Sequence, residues 1–181
     1  MRLTLKSAVA AVALSLCTAA FAQAPSDPQI VGIVVAANQI DMDYAKIALA
    51  KSKNKEVREF AQQMMTDHTA VQKSVFDLGA KLKVKPAASD TQKSLNDGAV
   101  KERAELKKLK GAAFDKAYID NEVGYHQAVI DAVSKTLIPS AQNAELKKAL
   151  TDTAPAFVGH LEHAKKVQSD LASGNSSGMS H

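Results

Sequence analysis

The sequence predicts an all-α fold, a bundle of four long helices with an extra short crossover helix. Three observations carry that expectation. Apolar residues recur at steps of three and four through four separate segments, the period of a helix with one buried face. No stretch alternates with period two for long enough to make a strand. Good helix formers such as Ala, Leu, Lys and Glu dominate a chain with no Trp and only 4% aromatic residues, whereas sheets draw on aromatic and β-branched side chains. At 181 residues, 46% of them hydrophobic, the chain suits one domain that can bury a core without disulfide staples.

The first segment, residues 1–22, reads as a signal peptide. Arg2 and Lys6 make a basic start, Ala8 to Leu16 form an apolar run too short to span a bilayer, and Ala20-Phe21-Ala22 supplies a small-x-small cleavage pattern. Leu16 stands where a lipoprotein would place a small residue before Cys17, so lipidation at Cys17 is disfavoured. Without Cys17 the mature chain has no thiol, hence no disulfide and no Cys metal ligand. The expected mature chain has a short lead at 23–27, a helical bundle at 28–171, a disordered tail at 172–181, no transmembrane segment, and a periplasmic location. Without Arg2 and Lys6 it carries 21 basic and 19 acidic residues, a balance of +2. The densest basic stretch, Lys101 to Lys110, is interleaved with Glu102 and Glu105 and has no aromatics for stacking, so no nucleic-acid partner is expected.

Each helix has its own punctuation. Ser26-Asp27-Pro28 starts the first, which runs to about Ser52. Asn54 caps a second at once, closing near Lys83 to Pro86, and so short a link makes the two antiparallel neighbours. Ser89 with Gln92 offers a capping box for a weaker third helix, interrupted by Gly98 and ending at Gly111. A fourth runs from Ala112 to Ile138 and stops at Pro139; a fifth runs from Asn143 to before Ser173, with a kink expected at Pro155.

Ionisable residues share the apolar stripes of all four long helices. Asp41 follows Val34 and Ala37 on the first, and His68 follows Phe60 and Met64 on the second with Asp67 on its margin. Glu122 and His126 lie between Tyr118 and Val129 on the fourth, and His160 lies between Phe157 and Ala164 on the fifth, with His163 one turn on. Asp41 and His68 fall at similar depths on either side of the first turn, at about 1.5 Å per residue, and so do Glu122 and His160 around Pro139. One mid-bundle polar layer containing Asp41, His68, Glu122, His126 and His160 is therefore expected. Buried ionisable groups must be paired or bound to a metal, and imidazole with carboxylate suits a transition ion such as Zn, Cu, Mn or Fe. Coordination should fade below about pH 6, where free imidazoles protonate.

Phe60-Ala61-Gln62 with Met64 and Asp67-His68, then Phe114-Asp115 with Tyr118 and His126, then Leu150 with Pro155 and His160-Leu161, form a spaced pattern. It resembles a bacterial domain family of unknown function, over about residues 28 to 170. The resemblance implies an exported, ferritin-like four-helix bundle; its members often carry an outer-membrane label, which does not fit a chain without alternating strands. Relatives tend to carry Glu where this chain has Asp41. Di-iron bundles need a Glu on each of two helices and two Glu-x-x-His pairs, and this chain offers only Glu122-x-x-x-His126 and His160-x-x-His163.

Two functions remain, a metal-binding bundle for storage, buffering or stress protection, and a non-catalytic envelope or interaction protein whose histidines form a structural or pH-sensitive network. Nothing resembles a phosphate loop, a His-Glu-x-x-His zinc helix or a nucleophile elbow, so catalysis is not expected. Convergent imidazole nitrogens would favour the first reading and closed Asp–His or Glu–His pairs the second. If the signal reading holds, N-terminal sequencing of the secreted protein begins at Gln23; a lipidated Cys17 at the terminus would contradict it.

Overall fold

The computed structural model describes residues 24–174. The signal segment with Cys17, the cleavage position before Gln23, and the tail from 175 onward lie outside the described residues. Among the described residues all regular structure is helical: α1 (Asp27–Lys51), α2 (Lys55–Leu82), α3 (Asp90–Lys108), α4 (Gly111–Ala132) and α5 (Ala144–Ser173). Helix α1 opens with the Ser26 backbone N–H donating to Gln29 Oε1 at 3.0 Å. Asn54 accepts from the Val57 N–H at 3.1 Å, and Asn143 accepts from those of Glu145 and Leu146 at 2.9 and 3.1 Å. These side chains serve N–H groups that have no partner within the helix. Helix α2 ends on Lys83 in the left-handed region at φ 55.

Several local expectations are corrected. Helix α3 runs through Gly98 without interruption and ends at Lys108, before Gly111, which instead begins α4 at φ 56. Ser89 accepts from the Gln92 N–H at 3.1 Å, but the Gln92 side chain donates to Gly32 O at 3.2 Å instead of closing a capping box. Pro139 does not stop the fourth helix: α4 widens into a π turn at Val133–Leu137 and continues through Ile138–Ser140. A proline ring collides with the carbonyl four residues back in a regular helix, and the wider turn just upstream makes room for it. Helix α5 is continuous through Pro155 and takes in residues 172 and 173.

The bundle consists of two antiparallel hairpins, α1 with α2 and α4 with α5, joined by α3 packed mainly on α1. Helix α3 therefore both crosses between the pairs and forms a fifth helix. Arg103 on α3 meets Asp43 on α1 at 3.2 Å, and the Lys51 ammonium donates to Lys107 O at 2.6 Å. At the opposite end Asp27 accepts from the backbone N–H groups of Gln142 and Asn143, each at 2.9 Å, which ties the start of α1 to the α4–α5 turn. Two apolar clusters result. One gathers Tyr44, Val57, Phe60, Met64, Phe114 and Tyr118; the other gathers Ile30, Ile33, Val133, Leu137, Leu150 and Phe157. On α2, α4 and α5, His68, His126 and His160 fall between the segments that feed the two clusters, while Asp41 and Glu122 lie within the inner edge of the first.

Gly32 lets α1 touch the α2–α3 connection. A Cβ there would stand 2.3 Å from Ala87 O, and Ala87 is itself pinned by its N–H on Pro28 O at 2.9 Å. Gly32→Ala should thus cost on the order of 1–3 kcal/mol through overpacking. Gly98→Ala should instead stabilise by about 0.5–1 kcal/mol, because Gly98 is exposed inside a helix with nothing within 4 Å of the added carbon. Denaturant melts of the two variants check both signs.

Candidate metal centre

The polar layer lies between the two clusters. Asp41 and Glu122 are fully buried, and His68, His126 and His160 are 4%, 1% and 3% exposed. Each of the three imidazoles has one nitrogen engaged by a protein oxygen. Asn38 donates from Nδ2 to Val34 O at 2.8 Å, leaving its Oδ1 to accept from His68 Nδ1 at 2.7 Å. His126 Nδ1 donates to Glu122 O at 3.0 Å, one helical turn back. His160 Nε2 donates to Asp67 Oδ2 at 2.9 Å. These contacts set the tautomers.

The opposite nitrogens, His68 Nε2, His126 Nε2 and His160 Nδ1, are buried and have no hydrogen-bond partner. Three lone pairs therefore face the bundle interior. His68, His126 and His160 offer ligand atoms within 4.8 Å of one another, and so do Asp41, Glu122 and His126. Asp41 Oδ2 lies 3.3 Å from His68 Nε2 and 3.4 Å from His126 Nε2, and Glu122 Oε2 lies 3.4 Å from His126 Nδ1. Both oxygens of Asp41 and of Glu122 are without a hydrogen-bond partner. Burying polar atoms without partners is costly, and lone pairs set against one another call for a proton or a cation between them. The donor set fits a transition ion: three neutral imidazoles, a carboxylate in reach, and an oriented outer shell.

Burial decides the charge state. It pushes the Asp41 carboxyl well above the usual range, with Glu122 adding to the rise and His126 opposing it. Burial does the same to Glu122. His68 is lowered to about 3 by burial, then by His126 and His160, with Asp67 opposing. His160 is lowered by burial and held up in part by Asp67. Without a cation, burial thus favours the neutral forms of His68, His160, Asp41 and Glu122.

Five of the seven residues singled out from sequence, Asp41, His68, Glu122, His126 and His160, come together in these two overlapping groups. Asp67 stands outside them as the orienting partner of His160, its side chain 42% exposed. His163 also stands outside: its Nδ1 contacts Gln63 Oε1 at 2.7 Å, and its ring packs edge-on against Phe60 at 5.3 Å. Asn38 was missed. Its signal was an amide beside the inward row of α1, three residues before Asp41, where helix propensity disfavours it. Tyr118, stacked on Phe114, was read only as apolar, yet its buried hydroxyl also lacks a partner.

A family model described as a domain of unknown function, DUF4142, matches residues 14–167. The chain belongs to this family. Among solved structures it is similar to one described as CopM in the Cu(II)-bound form, with a TM-score of 0.62 and 17% identity over 81% of this chain and 98% of that one. That likeness establishes a shared helical fold. No curated protein matches the chain.

The displaced pKa values have opposite consequences for metal-free stability. His68 and His160 resist protonation in the native state, so their contribution is complete above about pH 6.5 and is lost as the pH falls. For His68 that loss extends toward about 3. Asp41 and Glu122 keep protons that the unfolded chain releases above about pH 4, so their contribution is complete in acid and is lost as the pH rises. Between pH 6.5 and 8 in chelator, wild type should therefore lose melting temperature with rising pH, and Asp41→Asn should lose less. Thermal melts across that window test the sign.

Proposed function

We propose that this chain is a metal-binding bundle that holds one first-row transition ion at mid-height, Cu(II) foremost, for storage, buffering or stress protection in the periplasm. His68, His126 and His160 would supply the imidazole ligands and Asp41 a carboxylate, with Glu122 in reach. One observation carries the reading: each of three buried imidazoles has its outer nitrogen engaged and its inner nitrogen left without a partner. A purely structural network would close its pairs on both sides. The similarity to a Cu(II)-bound structure and the affinity order, which places Cu(II) above Zn, Fe and Mn at such donors, support copper. The basic start, apolar run and Ala20-Phe21-Ala22 of residues 1–22 support export.

The chain's own groups prepare the site. Asn38, Glu122 O and Asp67 hold the three rings with their free lone pairs inward, and burial favours the neutral forms of His68 and His160. Binding a cation would favour the ionised form of Asp41, so uptake should release a proton and strengthen with pH. This revises the expectation from free imidazole, because burial already holds His68 neutral down to about pH 3. Within the two groups only Asp41 and Glu122 are carboxylates, fewer than the set that di-iron oxygen chemistry uses, and the proposal is one of binding.

The test is a thermal melt of the full mature chain with chelator and with Cu(II), Zn, Mn or Fe(II). At a hundredfold excess over Kd a bound ion should add about 2.7 kcal/mol, or roughly 5–10 °C for a domain of this size. His160→Ala should lose that gain, and Asn38→Leu should weaken affinity about 10–100-fold by releasing His68. The gain should grow from pH 5.5 to pH 8. A wild type that gains nothing from any of these ions would leave the structural histidine network as the function.

A further inference from the structure

Below the polar layer the bundle is not filled. A cavity of about 430 Å³ lies between α1, α2, α4 and α5, walled by aliphatic and aromatic side chains including Val34, Val71, Val75, Leu146, Leu150 and Phe157. That volume falls within the roughly 300–1,000 Å³ of small-molecule sites, far above the voids that close-packed interiors tolerate. The apolar wall offers ordered water too few polar partners. Its lining includes exposed Ala70 and Ser74 on α2 and half-buried Ala149 and Thr153 on α5, small side chains that leave a way in between those helices.

The ionisable lining is confined to one end, where Asp41, His68 and His126 stand with Asn38 and Tyr125; elsewhere the only polar lining residues are the hydroxyl-bearing Ser74, Thr91, Thr136 and Thr153. Asn38 is spent on His68 and Val34, and the Tyr125 hydroxyl donates to Ala37 O at 2.9 Å. What remains unpartnered there is His68 Nε2, His126 Nε2 and both oxygens of Asp41. The Asn38 and Glu122 O contacts make the two nitrogens acceptors. A hydroxyl suits this end, since it can donate to one of these nitrogens and accept from the Asp41 carboxyl in turn, and a hydrocarbon body suits the apolar rest. An anionic head would be desolvated there with no Lys or Arg in the lining to pair it.

We propose that the cavity binds a single-chain aliphatic alcohol, hydroxyl toward Asp41 and His68 and hydrocarbon chain along the wall of Val75, Leu150 and Phe157. This goes beyond metal binding and does not require it, since these buried groups have no hydrogen-bond partner in the metal-free chain. Bound, the alcohol fills the cavity and its hydroxyl exchanges hydrogen bonds with the buried polar atoms of the layer.

The experiment titrates 1-decanol, and separately decanoate, into the full mature chain in chelator, by calorimetry and by methyl NMR. Decanol should bind one to one at least tenfold more tightly than decanoate, with shifts concentrated on the methyls of Val71, Val75 and Leu150. Ala149→Trp, placed at the entrance, and Val75→Phe, placed in the wall, should each weaken decanol at least tenfold while leaving zinc affinity unchanged. The proposal falls if decanol does not bind a chain that still binds zinc, if decanoate binds as tightly, or if both variants bind decanol like wild type. A chain that binds decanol but no metal would uphold the cavity and overturn only the metal reading.

Discussion

Burying ionisable groups in the middle of a helical bundle is the constraint on which the rest of this structure depends. Five such side chains occupy a single layer, each of them buried from bulk solvent. Asn38, Asp67 and one backbone carbonyl answer half of the demand by engaging the outer nitrogens of the three imidazoles. The inner nitrogens and the two carboxyls are left facing one another. In energetic terms the layer is a local conflict within an otherwise consistent core, and such conflicts in natural proteins concentrate where function resides.

The apolar clusters on either side accommodate that conflict differently. Above the layer, Phe60, Phe114, Tyr118 and Met64 are completely buried and hold the helices in fixed register. Below it the aliphatic wall stands back and leaves a cavity. The π turn at Val133–Leu137 sits in this lower half, where α4 also has to accept Pro139. The packed half of the bundle thus sets the spacing of the layer's side chains, while the other half leaves a cavity against it.

Much of this was legible from residue spacing alone. Asp41, His68, Glu122, His126 and His160 each sit on an apolar stripe, and side chains that share a stripe share an interior, so their convergence followed from helical period and depth. Roles within the layer were less legible. Asp67 and His163 lie one residue and one turn from layer members, and a difference of that size decides between facing the centre and holding another side chain. Asn38 escaped notice because an amide on a helix usually points to water. The passage of α4 through Pro139 was unreadable for another reason: the preference of proline to end a helix is local, whereas the π turn that overrides it is held by packing against α5.

The Asp27 clamp bears on the order in which the molecule can assemble. Its two carboxylate oxygens reach backbone groups 115 and 116 positions later, so this closure waits for most of the chain. The α1–α2 hairpin needs nothing beyond Leu82 and can form first, setting Asp41 and Asn38 beside His68 while His126 and His160 are still absent. The layer is then made in two halves, and the first half stays wet until the second hairpin docks. Contacts of long sequence separation form late and slowly, which gives a nascent or refolding chain an interval in which an ion can meet Asp41 and His68 from open solvent. Under the metal-binding proposal, loading would not have to wait for a finished bundle to open; it could accompany the last step of its closing.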